Sequence, residues 1–148
     1  MRLFVSRLAP ALLAAAVVAA PAGARNATAF PHGVFRTTIT DADLLAGHVG
    51  VNDIPENHGT FTLTIGAHGH WRLVQRAPNP LHDPVFAGAY TVRGSTVDFR
   101  TATPTRFAGD DLVVWGFDGK YLRLRLKSYS PYPETYVLYH AHPWRKVG

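Results

Sequence analysis

Cysteine is absent from all 148 residues, so no disulfide staples the fold and a packed core must hold it. The same absence removes the cysteine that a lipid-anchored exported protein would carry after its apolar leader. Serine is scarce: beyond residue 24 only Ser95, Ser128 and Ser130 remain, beside Gly94, Tyr129 and Pro131, and none sits in a Gly-x-Ser-x-Gly elbow. Most carboxylates, Asp41, Asp43, Asp83, Asp110 and Asp118 among them, fall at turn or cap positions where backbone roles account for them. The chain therefore reads as no enzyme. No internal repeat and no linker divides it, and no long uncharged run occurs after residue 20.

What is present begins with an address. Arg2 and Arg7 precede an uncharged run over 8–20, followed by Pro21-Ala22-Gly23-Ala24. A basic start, an apolar middle and small residues at the end predict a secretory signal peptide over 1–24, with Ala27-Thr28-Ala29 as a second cleavage site. Residues 25–32 then read as a flexible leader and 33–148 as one domain. Loss of Arg2 and Arg7 leaves 13 basic against 10 acidic side chains, a mild +3 that names no partner. Export argues against nucleic acid as a target, and nothing predicts a stable membrane anchor. The bias towards Ala, Arg and Gly over lysine, three in all, points to a GC-rich bacterial genome, where the Asn26-Ala27-Thr28 sequon goes unused.

The organising stretch is 60–76. Phe61, Leu63 and Ile65 alternate with Thr60, Thr62 and Thr64; after Gly66-Ala67-His68-Gly69, Trp71, Leu73 and Gln75 share one parity and Arg72 and Arg76 the other. Alternation broken by two close glycines predicts a β-hairpin, which needs further strands to bury its apolar face. The sequence supplies them over 33–40, 85–92, 96–101, 111–117, 120–129 and 135–141, with Asp118-Gly119 as a two-residue turn and Leu122, Leu124 and Leu126 alternating with Arg123, Arg125 and Lys127. Thr40, with Asp43 three residues on, predicts a capped helix over 40–49 that buries Leu44, Leu45 and Val49 and stops at Gly47 and Gly50. Three prolines over 77–84 demand a long connection. The fold class that follows is all-β: a single antiparallel up-and-down barrel of about eight strands, with one short helix between the first two lying across a mouth.

This layout resembles the lipocalin-like barrels of the calycin superfamily. More narrowly, Ile39-Thr40-Asp41-Ala42-Asp43-Leu44, Asn57-His58-Gly59-Thr60-Phe61-Thr62-Leu63, Gly88-Ala89-Tyr90-Thr91-Val92 and His142-Pro143-Trp144-Arg145-Lys146-Val147-Gly148 resemble a small secreted actinobacterial domain. That domain occurs alone or at the end of extracellular solute-binding proteins. The calycin resemblance implies a cavity for a small apolar molecule. Gly33-Val34-Phe35 stands where lipocalins carry Gly-x-Trp.

Three constellations remain. His68-x-His70 and His140-x-His142 are spaced as zinc ligands on a strand, but a closed site needs the two pairs to meet, and the reading is of no metal and no cofactor. Arg123, Arg125 and Lys127 form an outer basic face, which solvation explains or an anionic envelope polymer or a protein partner uses. Trp71, Gln75, Tyr90, Phe99, Trp115 and Tyr136 carry the parity of the interior, as a packed core or as the lining of a cavity in which Gln75, Tyr90 and Tyr136 orient a guest. The expectation is a secreted, non-catalytic binding protein for a small apolar or amphipathic ligand, with the outer face as the alternative.

Overall fold

The computed structural model describes residues 29–77 and 84–148. The stretch expected as a signal peptide and most of the proline-rich connection lie outside the described residues. Eight antiparallel strands close a barrel in sequence order: β1 Gly33–Ile39, β2 Gly59–Ile65, β3 His70–Arg76, β4 Val85–Arg93, β5 Thr96–Thr103, β6 Gly109–Phe117, β7 Tyr121–Leu126 and β8 Trp144–Lys146. β8 lies between β7 and β1 and closes the ring. Closure removes the free edges that a disulfide-free sheet would otherwise expose.

Strand alternation sorts the side chains as the pleat requires. Phe35, Thr37 and Ile39 on β1, Phe61, Leu63 and Ile65 on β2, Trp71, Leu73 and Gln75 on β3, and Leu122, Leu124 and Leu126 on β7 are all buried. Connections alternate too, so the two ends of the barrel differ. At the hairpin end lie the tight turns after β2, β4 and β6; at the helix end lie α1 Asp41–Ala46, α2 Ile54–Asn57, the 3-10 turn Thr105–Phe107 and α3 Pro133–His140. Among the described residues, no helix is long and apolar enough to cross a membrane.

Residues 135–141 correct the strand expected there: 135–140 belong to α3 with Ala141 as its C-cap, and Trp144–Lys146 is the closing strand. Tyr136, Val137 and Tyr139 favour strands intrinsically, yet Pro133 has the fixed φ of a first helical residue and Glu134 suits the positive end of the helix. Packing decides the case, because Val137 and Tyr139 bury against the barrel as a helix that also reaches β7. A second correction concerns Leu45, which is 52% exposed while Leu44 and Val49 are buried. The helix is only six residues long, so its apolar stripe is one residue wide and Val49 returns to the core after Gly47 has ended it. Between α1 and β2 the chain makes the single turn α2, whose Ile54 is buried.

The hairpin end is packed by rings. Phe30, from the stretch read as a leader, is 7% exposed and sits 5.3 Å from Tyr90, 6.3 Å from Phe99 and 5.2 Å from Trp115. Trp71 meets Phe99 edge-on at 5.5 Å, and Phe35 meets Phe117 at 6.0 Å. Each such pair adds about 0.5–1.5 kcal/mol to the burial itself. This end is closed by hydrophobic packing.

Candidate functional site

The helix end is closed differently. Thr40 follows β1 and caps α1: its hydroxyl accepts from Asp43 N at 3.2 Å, and its own N–H donates to Asp43 Oδ2 at 2.8 Å. Both aspartates of this one short helix also face histidines from elsewhere. Asp41 Oδ1 lies 2.5 Å from Nδ1 of His58, between α2 and β2, and Asp43 Oδ2 lies 3.0 Å from Nε2 of His142, between α3 and β8. Two distant segments are thus tied to α1.

From inside, Gln75 completes the fastening. Its side chain is 4% exposed, and Nε2 donates to Glu56 O at 2.7 Å and to His58 O at 2.9 Å, gripping the end of α2 from within the barrel. An inward amide needs such partners, and the backbone of the covering segment supplies them. α3 is held by polar contacts as well: His140 Nε2 accepts the Leu126 N–H at 2.9 Å, at the level where β8 is too short to pair with β7. Tyr139 donates its hydroxyl to Asp111 Oδ2 at 3.0 Å. Burial pushes the Asp111 carboxyl above its usual range despite that bond, with Asp110 and Asp98 adding repulsion, and burial beside Asp111 likewise raises the Tyr139 phenol. Gly47 lets α1 approach α3, since a β-carbon there would run into Val137 Cγ2.

The Asp43 tie carries a pH signature. Partial burial opposes its ionisation, but the bonds from the Thr40 side chain and backbone and from His142 outweigh that and hold the carboxyl below the ordinary 3.8. A lowered folded-state value means the contribution is complete above the unfolded-state value and is lost as pH falls through the folded one. Asp43→Asn is expected to cost about 1 kcal/mol at neutral pH, the worth of a helix cap. Its penalty should shrink in urea titrations carried progressively below pH 3.8, and a penalty that does not change with pH would show that ionised Asp43 does not fasten α1.

The expected lining residues divide. Trp71, Tyr90 and Phe99 are buried in the barrel and Trp115 is half-buried, but all four belong to the ring cluster of the hairpin end. Their polar atoms are committed: Trp71 Nε1 donates to Ala89 O at 3.0 Å, Tyr90 donates to Gly66 O at 2.7 Å and Trp115 Nε1 donates to Gly94 O at 3.1 Å. Tyr136 is a correction, because it lies on α3 and not on an inward strand. Its hydroxyl accepts from Ser130 N at 3.2 Å, its ring stands against His140, and it borders an open groove of about 280 Å³ between α1 and α3. A larger open groove of about 570 Å³ runs along the rim past Thr38, Thr40, Asp41, His58 and Arg76.

The His-x-His pairs do not meet. His68 and His70 stand at the hairpin end and His140 and His142 at the helix end, and among the described residues no group of three or more His, Cys, Asp or Glu is placed to hold a metal ion. On the outer face, Arg123 Nη1 donates to Asp118 Oδ2 at 2.8 Å. Backbone N–H bonds around Tyr121, with that guanidinium, hold Asp118 down to about 2. Arg125 and Lys127 are exposed. Across the closing strand the basic face continues, with Arg36 on β1 directly opposite Arg145 on β8.

Sequence reasoning missed Phe30, His58 and Tyr139, and weighed His142 only as a metal ligand and not as the partner of Asp43. No periodicity marks Phe30, and the histidines gain meaning only from aspartates that folding brings to them. The architecture is compatible with a lipocalin-like barrel. Set against protein-family models, curated proteins and solved structures, the chain matches none of them.

Proposed function

We propose that this is an exported, non-catalytic binding protein that holds a small apolar or amphipathic molecule in the helix-end half of its barrel. The observation that carries the reading is the unequal closure of the two mouths. Interlocked rings plug one, whereas short helices fastened by side-chain hydrogen bonds cover the other. Polar ties exchange readily with water, so they suit a cover that opens; ring packing does not. Buried beneath the cover are Ile39, Phe61, Leu73, Leu124 and Leu126, apolar side chains that suit an apolar guest. Native mass spectrometry on protein from its own culture medium, followed by solvent extraction, tests this. A co-purifying small molecule released when the cover is loosened by Gln75→Leu is the expected result, and consistently empty protein would count against it.

A second reading has its own observation. Arg36 and Arg145 face each other across neighbouring strands, a like-charge pairing that costs stability unless an anion lies over it. With Arg123, Arg125 and Lys127 they would meet an anionic envelope polymer. Reversing Arg123 and Arg125 to glutamate is expected to abolish sedimentation with isolated envelope material at low salt. Unchanged sedimentation removes this reading.

A further inference from the structure

Two polar groups inside the barrel have no partner within the protein. Among the described residues, Thr37 Oγ1 and Trp144 Nε1 are enclosed side-chain atoms without a hydrogen bond; Thr37 is 5% exposed and Trp144 1%. They are neighbours across the closing seam. β1 and β8 pair Phe35 with Lys146 and Arg36 with Arg145, so the next step of the same register sets Thr37 beside Trp144. Trp144 in turn sits opposite Leu122, which is fully buried, and the parity of Phe35 and Ile39 turns Thr37 inward.

A third enclosed atom without a bond, Asp98 Oδ1, lies on the parity opposite to buried Val97 and Phe99, and the other polar side chains turned inward are bonded. Gln75, Tyr90, Trp71 and Tyr139 are bonded to backbone carbonyls or to Asp111. An unpaired buried donor is costly, and an apolar residue of the same shape would remove the cost. Valine would fit at Thr37 and phenylalanine at Trp144. Two such donors side by side therefore mark a place where function outweighs stability.

We propose that Thr37 and Trp144 are the polar anchor of the guest, and that the guest is an uncharged apolar molecule presenting one carbonyl oxygen. The proposal rests on the binding reading above and gives it a ligand class. Indole Nε1 only donates, and the threonine hydroxyl rotates to donate as well, so the pair suits an acceptor with two lone pairs. A carboxylate is disfavoured. No lysine, arginine or histidine among the described residues is buried, and the one inward carboxyl near the helix end, Asp111, would repel it. Both anchor atoms are shielded from solvent in the closed barrel, so the guest enters as the α1–α2 segment moves aside.

Displacement of the fluorescent probe N-phenyl-1-naphthylamine from the full mature chain tests this, with 2-decanone, nonane and decanoate as competitors. The ketone is expected to compete at least about tenfold better than nonane or decanoate. Thr37→Val should erase that advantage, Thr37→Ser should keep it, and Trp144→Phe should reduce it. Empty Thr37→Val protein should melt no lower than the parent, because it loses only an unpaired hydroxyl. Ketone affinity that ignores Thr37, equal competition by decanoate, or a lower melting temperature in Thr37→Val overturns the anchor, with a bound water only as its explanation, and leaves the cavity standing. Failure of the probe itself to bind overturns the cavity reading and the anchor with it.

Discussion

Replacing Trp71 by alanine is expected to lower unfolding free energy by about 3–5 kcal/mol, the cost of deleting a large buried ring, and to lower Tm by at least about 10 °C. Trp71 is 8% exposed and stands edge-on to Phe99, which itself meets Phe30 and Tyr90. The loss therefore spreads through one connected cluster. Trp71→Phe keeps most of the ring area and forfeits the bond to Ala89 O, so it should cost only about 1 kcal/mol. Because Phe99 links the two rings, Trp71→Ala and Phe30→Ala should not add. Urea denaturation of the three single variants and of the Trp71→Ala/Phe30→Ala double variant decides the matter, and a Trp71→Ala loss below about 1 kcal/mol would mean that the hairpin end is not closed by packing.

That end was the more legible of the two. Gly66 and Gly69, Gly94, and Asp118-Gly119 announce the turns, and the strict alternation of Phe61, Leu63 and Ile65 and of Leu122, Leu124 and Leu126 announces what the turns join. Both signals are local, since a pleat sorts its own neighbours and a tight turn selects its own residues. The Thr40–Asp43 capping box was legible for the same reason. α3 was not, because Tyr136, Val137 and Tyr139 are strand formers by propensity and only packing on β7 makes them helical, with Pro133 as the start of that helix. Tyr136 was misplaced inside the barrel by that one error. The ties that fasten the cover were beyond reach altogether, since His142 and Asp43 are 99 residues apart and neither residue's neighbours mention the other. Gln75 was the exception. Its parity with Trp71 and Leu73 marked it as inward and in need of a partner, although the partner turned out to be the backbone of the cover and not a guest.

The largest effect at the helix end is expected from Gln75→Leu. Leucine matches the glutamine in size and is apolar, so a side chain needed only to fill space would be replaced without loss. Gln75 instead supplies two hydrogen bonds, to Glu56 O and His58 O, from a fully enclosed position. Losing both should lower global stability by about 1–3 kcal/mol and weaken the cover more than the barrel. Hydrogen exchange separates the two: amides of α2 and of the β2 start should exchange at least about tenfold faster in the variant, while those of Leu63, Leu73 and Val97 keep their protection until the whole domain unfolds. Gln75→Glu should open the cover further, because its carboxylate faces two carbonyl oxygens with no proton to offer. Unaltered exchange across 54–61 in Gln75→Leu would show that α2 is held by Ile54 packing and the His58–Asp41 pair alone, and the inner grip would have no part in closing this mouth.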